Sequence, residues 1–285
     1  MRLLVTGGAG RLGSELTKLL HREGHFVRVF DLPNAHWETF KNLSGIEMFH
    51  GDITDISQVE EACQGIDLVV HLAAILPPFS ESVRDLTMSV NVRGTQNLLE
   101  TLRNGDVPMI FASSISVYGI TVDGAPPISE NHPQQIHNVY SESKIEAERQ
   151  IACSGIPNSV LRFAPIAVAD LIEVPNLIPY RADQRVEFID VNDAAEALVN
   201  VAVKIEKKHG VYNIAGGASW QMTGSEYLDA FYGALGIDVE PNYSENYTAI
   251  DWYDTSKGEF LDYQRTSFND FKRKLSSVAE ELCLI

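Results

Sequence analysis

No stretch of this 285-residue chain is apolar for the length of a membrane span. The densest run, Leu68 to Leu76, is about nine residues long and contains His71, well short of a spanning helix. The N-terminus offers no apolar signal segment before the glycines that begin at Gly7, so a cytoplasmic location is expected. Cysteine is scarce. Cys63, Cys153 and Cys283 are far apart and odd in number, which excludes a disulfide framework and a cysteine metal site. The eight histidines show no ligand spacing, so no metal is expected, and His71 reads as a packed core residue. Basic charge is also in deficit: 22 Lys and Arg face 39 Asp and Glu, a net charge of −17. That balance argues against nucleic acid or an anionic membrane as a partner. An anionic substrate would need a local basic pocket.

What the chain does have begins at its first residues. Arg2-Leu3-Leu4-Val5 is a short apolar run, followed at once by Thr6-Gly7-Gly8-Ala9-Gly10-Arg11-Leu12-Gly13. Strand, glycines and helix in that order make a device for gripping a pyrophosphate. Gly7 permits the tight turn, Gly10 the close approach of backbone to phosphate, and Gly13 the packing of helix on strand. The helix start at Arg11 and Leu12 presents N–H groups and the positive end of the dipole. Leu12, Leu16, Leu19 and Leu20 form its apolar stripe.

Apolar runs at Phe26–Phe30, Ile46–Phe49, Leu68–Leu72, Met109–Ala112 and Ser159–Phe163 then alternate with helical patterns. The helices are expected over Asp55–Cys63, Val83–Leu102 and Val139–Cys153. Continuous apolar strands between helices imply a doubly wound parallel sheet covered on both faces. After Pro165 the pattern loosens into an irregular stretch containing Pro175 and Pro179. A helix over Val191–Val203, a strand over Val211–Ile214 and a helix over Met222–Leu235 follow, with one more near Phe268–Leu275. The expected organisation is a dinucleotide-binding domain over 1–165, rejoined by 186–215. Residues 166–185 and 216–285 are expected to form a small C-terminal α/β substrate lobe.

Several side chains in this frame carry chemistry. Asp31 ends the second strand, and a carboxylate there accepts hydrogen bonds from ribose hydroxyls and repels a 2′-phosphate, favouring NAD over NADP. Asp52 either caps the next turn or binds the adenine amino group, and Ile53 lines the adenine pocket. Tyr140 and Lys144 are four residues apart and share one helix face. An ammonium beside the phenol stabilises the phenolate, lowering its pKa towards that of a general base. Ser114 closes a buried strand at the sheet end where such folds place ligands, and can orient a substrate hydroxyl towards Tyr140.

TGxxGxxG, Asp31, Gly51-Asp52-Ile53, His71-Leu72-Ala73-Ala74, Asn91-Val92-Arg93-Gly94-Thr95, the SSxSVYG segment from Ser113 and Tyr140xxxLys144 occur in that order. The series resembles the extended short-chain dehydrogenase/reductase family, with the NAD-dependent epimerase/dehydratase group most similar. The resemblance implies a Rossmann-type fold and NAD as cofactor. Gly7, Gly10, Arg11, Leu12, Gly13, Asp31, Asp52, Ile53, Leu72, Ala73, Ala74 and Asn91 would surround that cofactor. Tyr140 would be the acid/base, Ser114 its substrate-orienting partner, and Lys144 would also bond the nicotinamide ribose. A homodimer built on the helices of 83–102 and 139–153 is implied as well.

Departures from the family pattern narrow the reaction. The 4,6-dehydratases of the group carry an Asp-Glu pair after the hydroxyl position, where this chain has Ile115 and Ser116, so water elimination is not expected. Pro165 stands near the position of a substrate-binding Asn and supplies neither an amide side chain nor an N–H. The stretch up to Phe188 is short and keeps only Arg181 and Arg185 as diphosphate or carboxylate partners, or as solvated surface residues. Ser116 is a further candidate substrate contact. Trp252, Tyr253 and Tyr263 either wall a pocket or pack the small lobe, and lobe packing is the expectation. The first expectation is an NAD-dependent epimerase acting on a sugar or nucleotide-sugar hydroxyl. The alternative is a dehydrogenase or reductase of a smaller hydroxy or keto compound, such as a free sugar or sugar acid. A nucleotide-sensing protein is a third, disfavoured because Ser114, Tyr140 and Lys144 are all present.

Overall fold

The computed structural model describes residues 1–41, 43–103, 105–170, 175–204 and 209–281; Cys283 lies outside them. In chain order the strands are β1 (Arg2–Thr6), β2 (Phe26–Asp31), β3 (Ile46–His50), β4 (Leu68–His71), β5 (Met109–Ser114) and β6 (Asn158–Phe163). The short pieces β7 (Ile166–Ala167), β8 (Arg185–Val186) and β9 (Ile189–Asp190) precede β10 (Gly210–Ile214) and β11 (Met222–Thr223). The helices are α1 (Arg11–Arg22), α2 (Ile56–Ala62), α3 (Phe79–Ser82), α4 (Arg84–Met88), α5 (Gly94–Leu102), α6 (Val139–Ser154), α7 (Val191–Lys204), α8 (Gly224–Leu235) and α9 (Phe268–Glu281).

Seven strands make one sheet in the order β10-β6-β5-β4-β1-β2-β3, and every pairing in it is parallel. The alternation of strand residues explains its two coats. Leu3, Val5, Val27 and Val29 face one cluster with Leu16 and Leu20 of α1 and Ala194 and Leu198 of α7. Leu4, Phe30 and Val69 face the other, with Val59 of α2, Leu98 of α5 and Ala147 of α6. The strand order reverses between β4 and β1, so the crevice at their carboxyl ends is where an open α/β sheet receives a ligand.

Local caps set the helix starts. Asp55 caps α2 by accepting from Ser57 N (2.9 Å). Asn138 and Ser141 form a reciprocal capping box on α6, as do Thr223 and Glu226 on α8. The single helix expected over 83–102 is α4 and α5 joined by a π-helical turn, Ser89–Arg93. A Cβ on Gly94 would lie 2.7 Å from the Ile53 side chain, so a small residue is needed where this helix meets the loop after β3. The helix expected near Phe268–Leu275 runs on to Glu281.

A third cluster gathers Tyr180, Val186, Trp220, Tyr227, Phe231, Phe271 and Leu275 around α8 and α9. Tyr253 and Tyr263 depart from the lobe-packing expectation and fit its alternative, since both line a cavity beside Gly217, Asp254 and Gln264. They pack in the first cluster, against the sheet, rather than among the third. The reason is polar as much as apolar: Tyr263 Oη donates to Ala215 O (3.2 Å) just past β10, and the Tyr253 ring stacks on Tyr118. Cys63 is partly buried, with its thiol pushed up to about 12 by burial, and Cys153 is exposed. No helix among the described residues is long and apolar enough to cross a membrane.

Phe271 is fully buried between Trp220 and Phe231. Phe271→Ala is expected to destabilise the chain by about 3–5 kcal/mol in urea unfolding; a loss below about 1 kcal/mol would contradict this packing.

Candidate functional site

The glycine loop is fixed by close approaches that no side chain could tolerate. Gly7 has φ +67°, and a Cβ there would lie 2.7 Å from Ala73 Cα. A Cβ on Gly13 would lie 2.5 Å from Gly7 O and Gly8 Cα. Gly8, which the spacing argument passed over, is equally constrained, with Val5 O and Val29 Cγ1 both 2.9 Å from a built Cβ. Gly10 is the N-cap of α1 and makes no side-chain cap, so the helix start presents its N–H groups without a side-chain acceptor. Arg11 is exposed, 3.8 Å from the Asp170 carboxylate, and Leu12 packs at the edge of the first cluster.

Asp31 closes this loop from β2. Its Oδ2 accepts from Ala9 N (3.0 Å) and its Oδ1 from Leu32 N (2.8 Å). Burial raises its pKa, against the pull of those two N–H groups. Across the crevice, Leu72 N donates to Thr6 O (3.0 Å) and Ala73 N to Thr6 Oγ1 (3.3 Å), which holds 72–74 against Gly7. His71 is buried between Thr6 Oγ1 (2.7 Å) and Thr95 Oγ1 (3.0 Å). Burial, helped by the Lys144 charge, lowers its pKa to about 3, so it is a neutral core residue. A carboxylate beside uncapped helical N–H groups and a side-chain-free backbone surface fits a dinucleotide.

Three expected cofactor residues also have partners within the protein. Asp52 Oδ1 accepts from Thr54 N (2.9 Å) and Thr54 Oγ1 (2.8 Å), a turn cap. Ile53 is 5% exposed in the second cluster, and its carbonyl accepts from Asn97 Nδ2 (2.9 Å). Asn91, on the π-helical turn, accepts from Ile75 N (2.7 Å) and donates to Ile75 O (3.1 Å) and Ser143 Oγ (2.9 Å). Both its N–H bonds are used, and they tie the 72–75 loop to α6.

The side chains expected to be reactive come from β5 and α6. Glu81 accepts from Val139 N (2.9 Å) and Tyr140 N (3.1 Å), and Arg84 grips Glu142 with two bonds of 2.6 and 2.7 Å. These contacts, with the Asn138 box, fix where Tyr140 points. Lys144 Nζ donates to Ala112 O (2.8 Å) and lies 5.8 Å from the Tyr140 ring centre. Ser114 Oγ accepts from Ser116 N (3.2 Å) and hydrogen-bonds the Tyr140 phenol, easing its ionisation. The expected net lowering of the phenol is not what the site's own groups produce. Burial raises Tyr140 well above its ordinary range, and Ser114 only partly offsets it. Burial also lowers Lys144 to about 7, with Glu148 opposing.

The substrate candidates divide. Ser116 Oγ is buried without a protein partner among the described residues, close in sequence to Ser114. Arg185 is engaged by the buried Asp251 through bonds of 2.6 and 2.9 Å, and Arg181 by Asp183 through bonds of 2.7 and 2.8 Å. Both arginines therefore have their charge answered within the chain. Trp252 donates Nε1 to Met222 O (3.3 Å). The sequence reading missed a buried group behind the site: Arg162 and Glu148, with Ser113 and Gln134 also bonded to the carboxylate. Its one sequence signal was an acidic residue one turn beyond Lys144.

Similarity to known proteins agrees with this geometry. The chain is 35% identical over 156 residues to a 3 beta-hydroxysteroid dehydrogenase/Delta 5→4-isomerase of Mycobacterium tuberculosis, covering 52% of this chain and 41% of that protein. An uncharacterized protein of Sinorhizobium fredii, y4nG, is 38% identical over 146 residues, 51% of this chain and 35% of that one. The matches thus span less than half the length of these relatives. Among solved structures, UDP-glucose 4-epimerase of Thermus thermophilus in complex with NAD superposes with a TM-score of 0.83 at 25% identity, over 98% of this chain and 99% of that one. UDP-glucuronic acid 4-epimerase of Bacillus cereus gives a TM-score of 0.84 at 23% identity, over 99% and 100%, a likeness of fold. Residues 4–161, the β1–β6 half with the glycine loop, Ser114, Tyr140 and Lys144, match the 3-beta hydroxysteroid dehydrogenase/isomerase family, and the chain belongs to that family of extended short-chain dehydrogenase/reductases.

Proposed function

We propose that this protein is an NAD-dependent oxidoreductase that interconverts a secondary hydroxyl and a ketone on a substrate lacking a diphosphate. The observation that supports the substrate half is the neutralisation of Arg185 by Asp251. Releasing Arg185 would leave Asp251, 2% exposed, as an unanswered buried carboxylate, whereas the exposed Arg181–Asp183 pair is released at little cost.

The residues divide the work along the crevice. Gly7, Gly10 and Gly13, with the first turn of α1, hold the pyrophosphate, and Asp31 receives the adenosine ribose. Bound NAD supplies the hydride acceptor. Ser114 orients the substrate oxygen, and Tyr140 removes its proton in oxidation or returns it in reduction. Lys144, held by Ala112 O, lends positive charge to the phenolate and a donor to the nicotinamide ribose. Tyr140 can ionise only when that charge, the cofactor and the substrate oxygen offset its burial. Residues 1–165 and 186–215 are assigned to the cofactor, and 166–185 with 216–285 to the substrate. The second reading, an epimerase of a nucleotide-sugar, is favoured by the likeness to the Thermus epimerase along nearly all of both chains.

The test is a panel of sugars, sugar acids, hydroxysteroids and UDP-sugars incubated with the protein and NAD. NADH should accumulate with a substrate free of diphosphate, and UDP should not raise the melting temperature. Epimerised UDP-sugar without net NADH would overturn the substrate assignment in favour of the second reading. With an active substrate, Tyr140→Phe is expected to reduce kcat by roughly a hundredfold or more; a smaller loss would remove Tyr140 from the acid/base role.

A second prediction concerns pH. The Lys144 amine is held to about 7 in the chain alone, so above that pH NADH must bind together with a proton to recover the ammonium. NADH affinity is expected to fall as pH rises from about 7 to 9, by at most tenfold per unit. Fluorescence titration checks this, and Lys144→Met should flatten the dependence. A wild-type affinity constant across that window would show that Lys144 charge plays no part in binding.

A further inference from the structure

Glu148 belongs to no part of the site described so far, yet its surroundings are built for a charge. It lies one helical turn beyond Lys144 on α6 and is 7% exposed. Its Oε1 accepts from Ser113 Oγ (2.5 Å) and Arg162 Nε (3.0 Å), and its Oε2 from Gln134 Nε2 (2.6 Å) and Arg162 Nη2 (2.7 Å). Arg162, 6% exposed on β6, also donates to Tyr118 Oη (3.0 Å) and Glu130 O (3.2 Å). Tyr118 Oη in turn donates to Asn213 Oδ1 (2.5 Å). Four donors converge on this one buried carboxylate and hold it in place.

Lys144 presents the complementary problem. It is 3% exposed, and its ammonium donates to a neutral carbonyl, Ala112 O. Around it stand Phe111 and Ala112 of β5, the neutral His71 of β4, and Tyr140 and Glu148 of α6, with Arg162 of β6 behind Glu148. Of these only Glu148 carries negative charge while Tyr140 is protonated. Residues four apart on a helix are neighbours, and the two side chains grip consecutive residues of β5, Ala112 and Ser113. Ser114 follows immediately.

We propose that Glu148 is a positioning residue for the Ser114–Tyr140–Lys144 site: its carboxylate keeps the Lys144 ammonium charged and, through Ser113, holds the end of β5 at Tyr140. The proposal rests on the catalytic reading given above. Arg162 answers Glu148 so that the carboxylate can stay buried, and Gln134 and Ser113 fix its direction. Without Glu148, Lys144 would share its surroundings with an unopposed Arg162 cation and would shed its proton more easily.

The experiment is carbon NMR of the full chain labelled at the lysine Cε, with the Lys144 signal assigned by its loss in Lys144→Arg. The wild-type midpoint is expected near 7. Glu148→Gln should lower it by about one pH unit or more. Glu148→Gln combined with Arg162→Met removes both charges, so it leaves no lone buried ion if the single variant fails to fold; it should still lower the midpoint, by less than the single variant because the Arg162 cation is gone as well. A midpoint unchanged in a folded variant overturns the proposal and leaves Glu148 as the structural partner of Arg162. Retention of NADH turnover in Tyr140→Phe alongside a lowered Lys144 midpoint would instead sink the catalytic reading while the electrostatic role of Glu148 stands.

Discussion

Helix α6 is clasped to strand β5 by two side chains one turn apart. Lys144 reaches Ala112 O and Glu148 reaches Ser113 Oγ, and the residue after these two is Ser114. The spacing of a helix and that of a strand differ, so this double grip fixes both the rotation of α6 and its height along β5. Tyr140 then has one place to be. Glu81, Asn138 and Arg84 secure the helix start, and Asn91 ties the same helix to the loop that passes Gly7. The two halves of the crevice, glycine loop and hydroxyl pair, are thereby held in a single frame.

The clasp is electrostatically demanding, and the chain meets the demand locally. A net charge of −17 resides mostly on solvated carboxylates, and screening limits its reach into the interior. What acts on Lys144 is one buried carboxylate with its own guanidinium partner. Burial alone would discharge the lysine and lock the tyrosine proton in place. Burial outweighs the Ser114 hydrogen bond at Tyr140, so on the proposed reading the phenol serves as a base only once bound cofactor and substrate add charge and hydrogen bonds. The same economy governs the other lobe, where Arg185 and Asp251 hold each other and Gln184 bonds to Thr248 and Ile250.

Features set by local chemistry were legible in the sequence. A strand meeting Gly7, Gly10 and Gly13 has few alternatives, and Asp55 ahead of a helical stripe marks its cap. Tyr140 and Lys144 announced their shared face by spacing alone. Features set by distant pairing were not legible. Arg185 meets Asp251 across 66 positions, and nothing near either residue signals the other, so a free basic side chain was the natural expectation. The neighbours of Tyr253 and Tyr263 in sequence belong to the small lobe; the stacking of Tyr253 on Tyr118 and the hydrogen bond of Tyr263 to Ala215 that draw them to the sheet are tertiary. Asn91 illustrates a subtler limit. Its position next to the crevice was readable, but only the π-helical turn shows that its amide faces inward. Gly8 went unnoticed because the pyrophosphate spacing does not need it; the contact with Val29 does.

The central claim is that the β1–β4 crevice, with Asp31 at its edge, is a dinucleotide site selective for NAD. Calorimetric titration of the purified chain with NAD and with NADP tests it most directly. The account predicts saturable one-to-one binding of NAD and much weaker binding of NADP, because the Asp31 carboxylate repels a 2′-phosphate. Binding of neither nucleotide, or tighter binding of NADP, would contradict it.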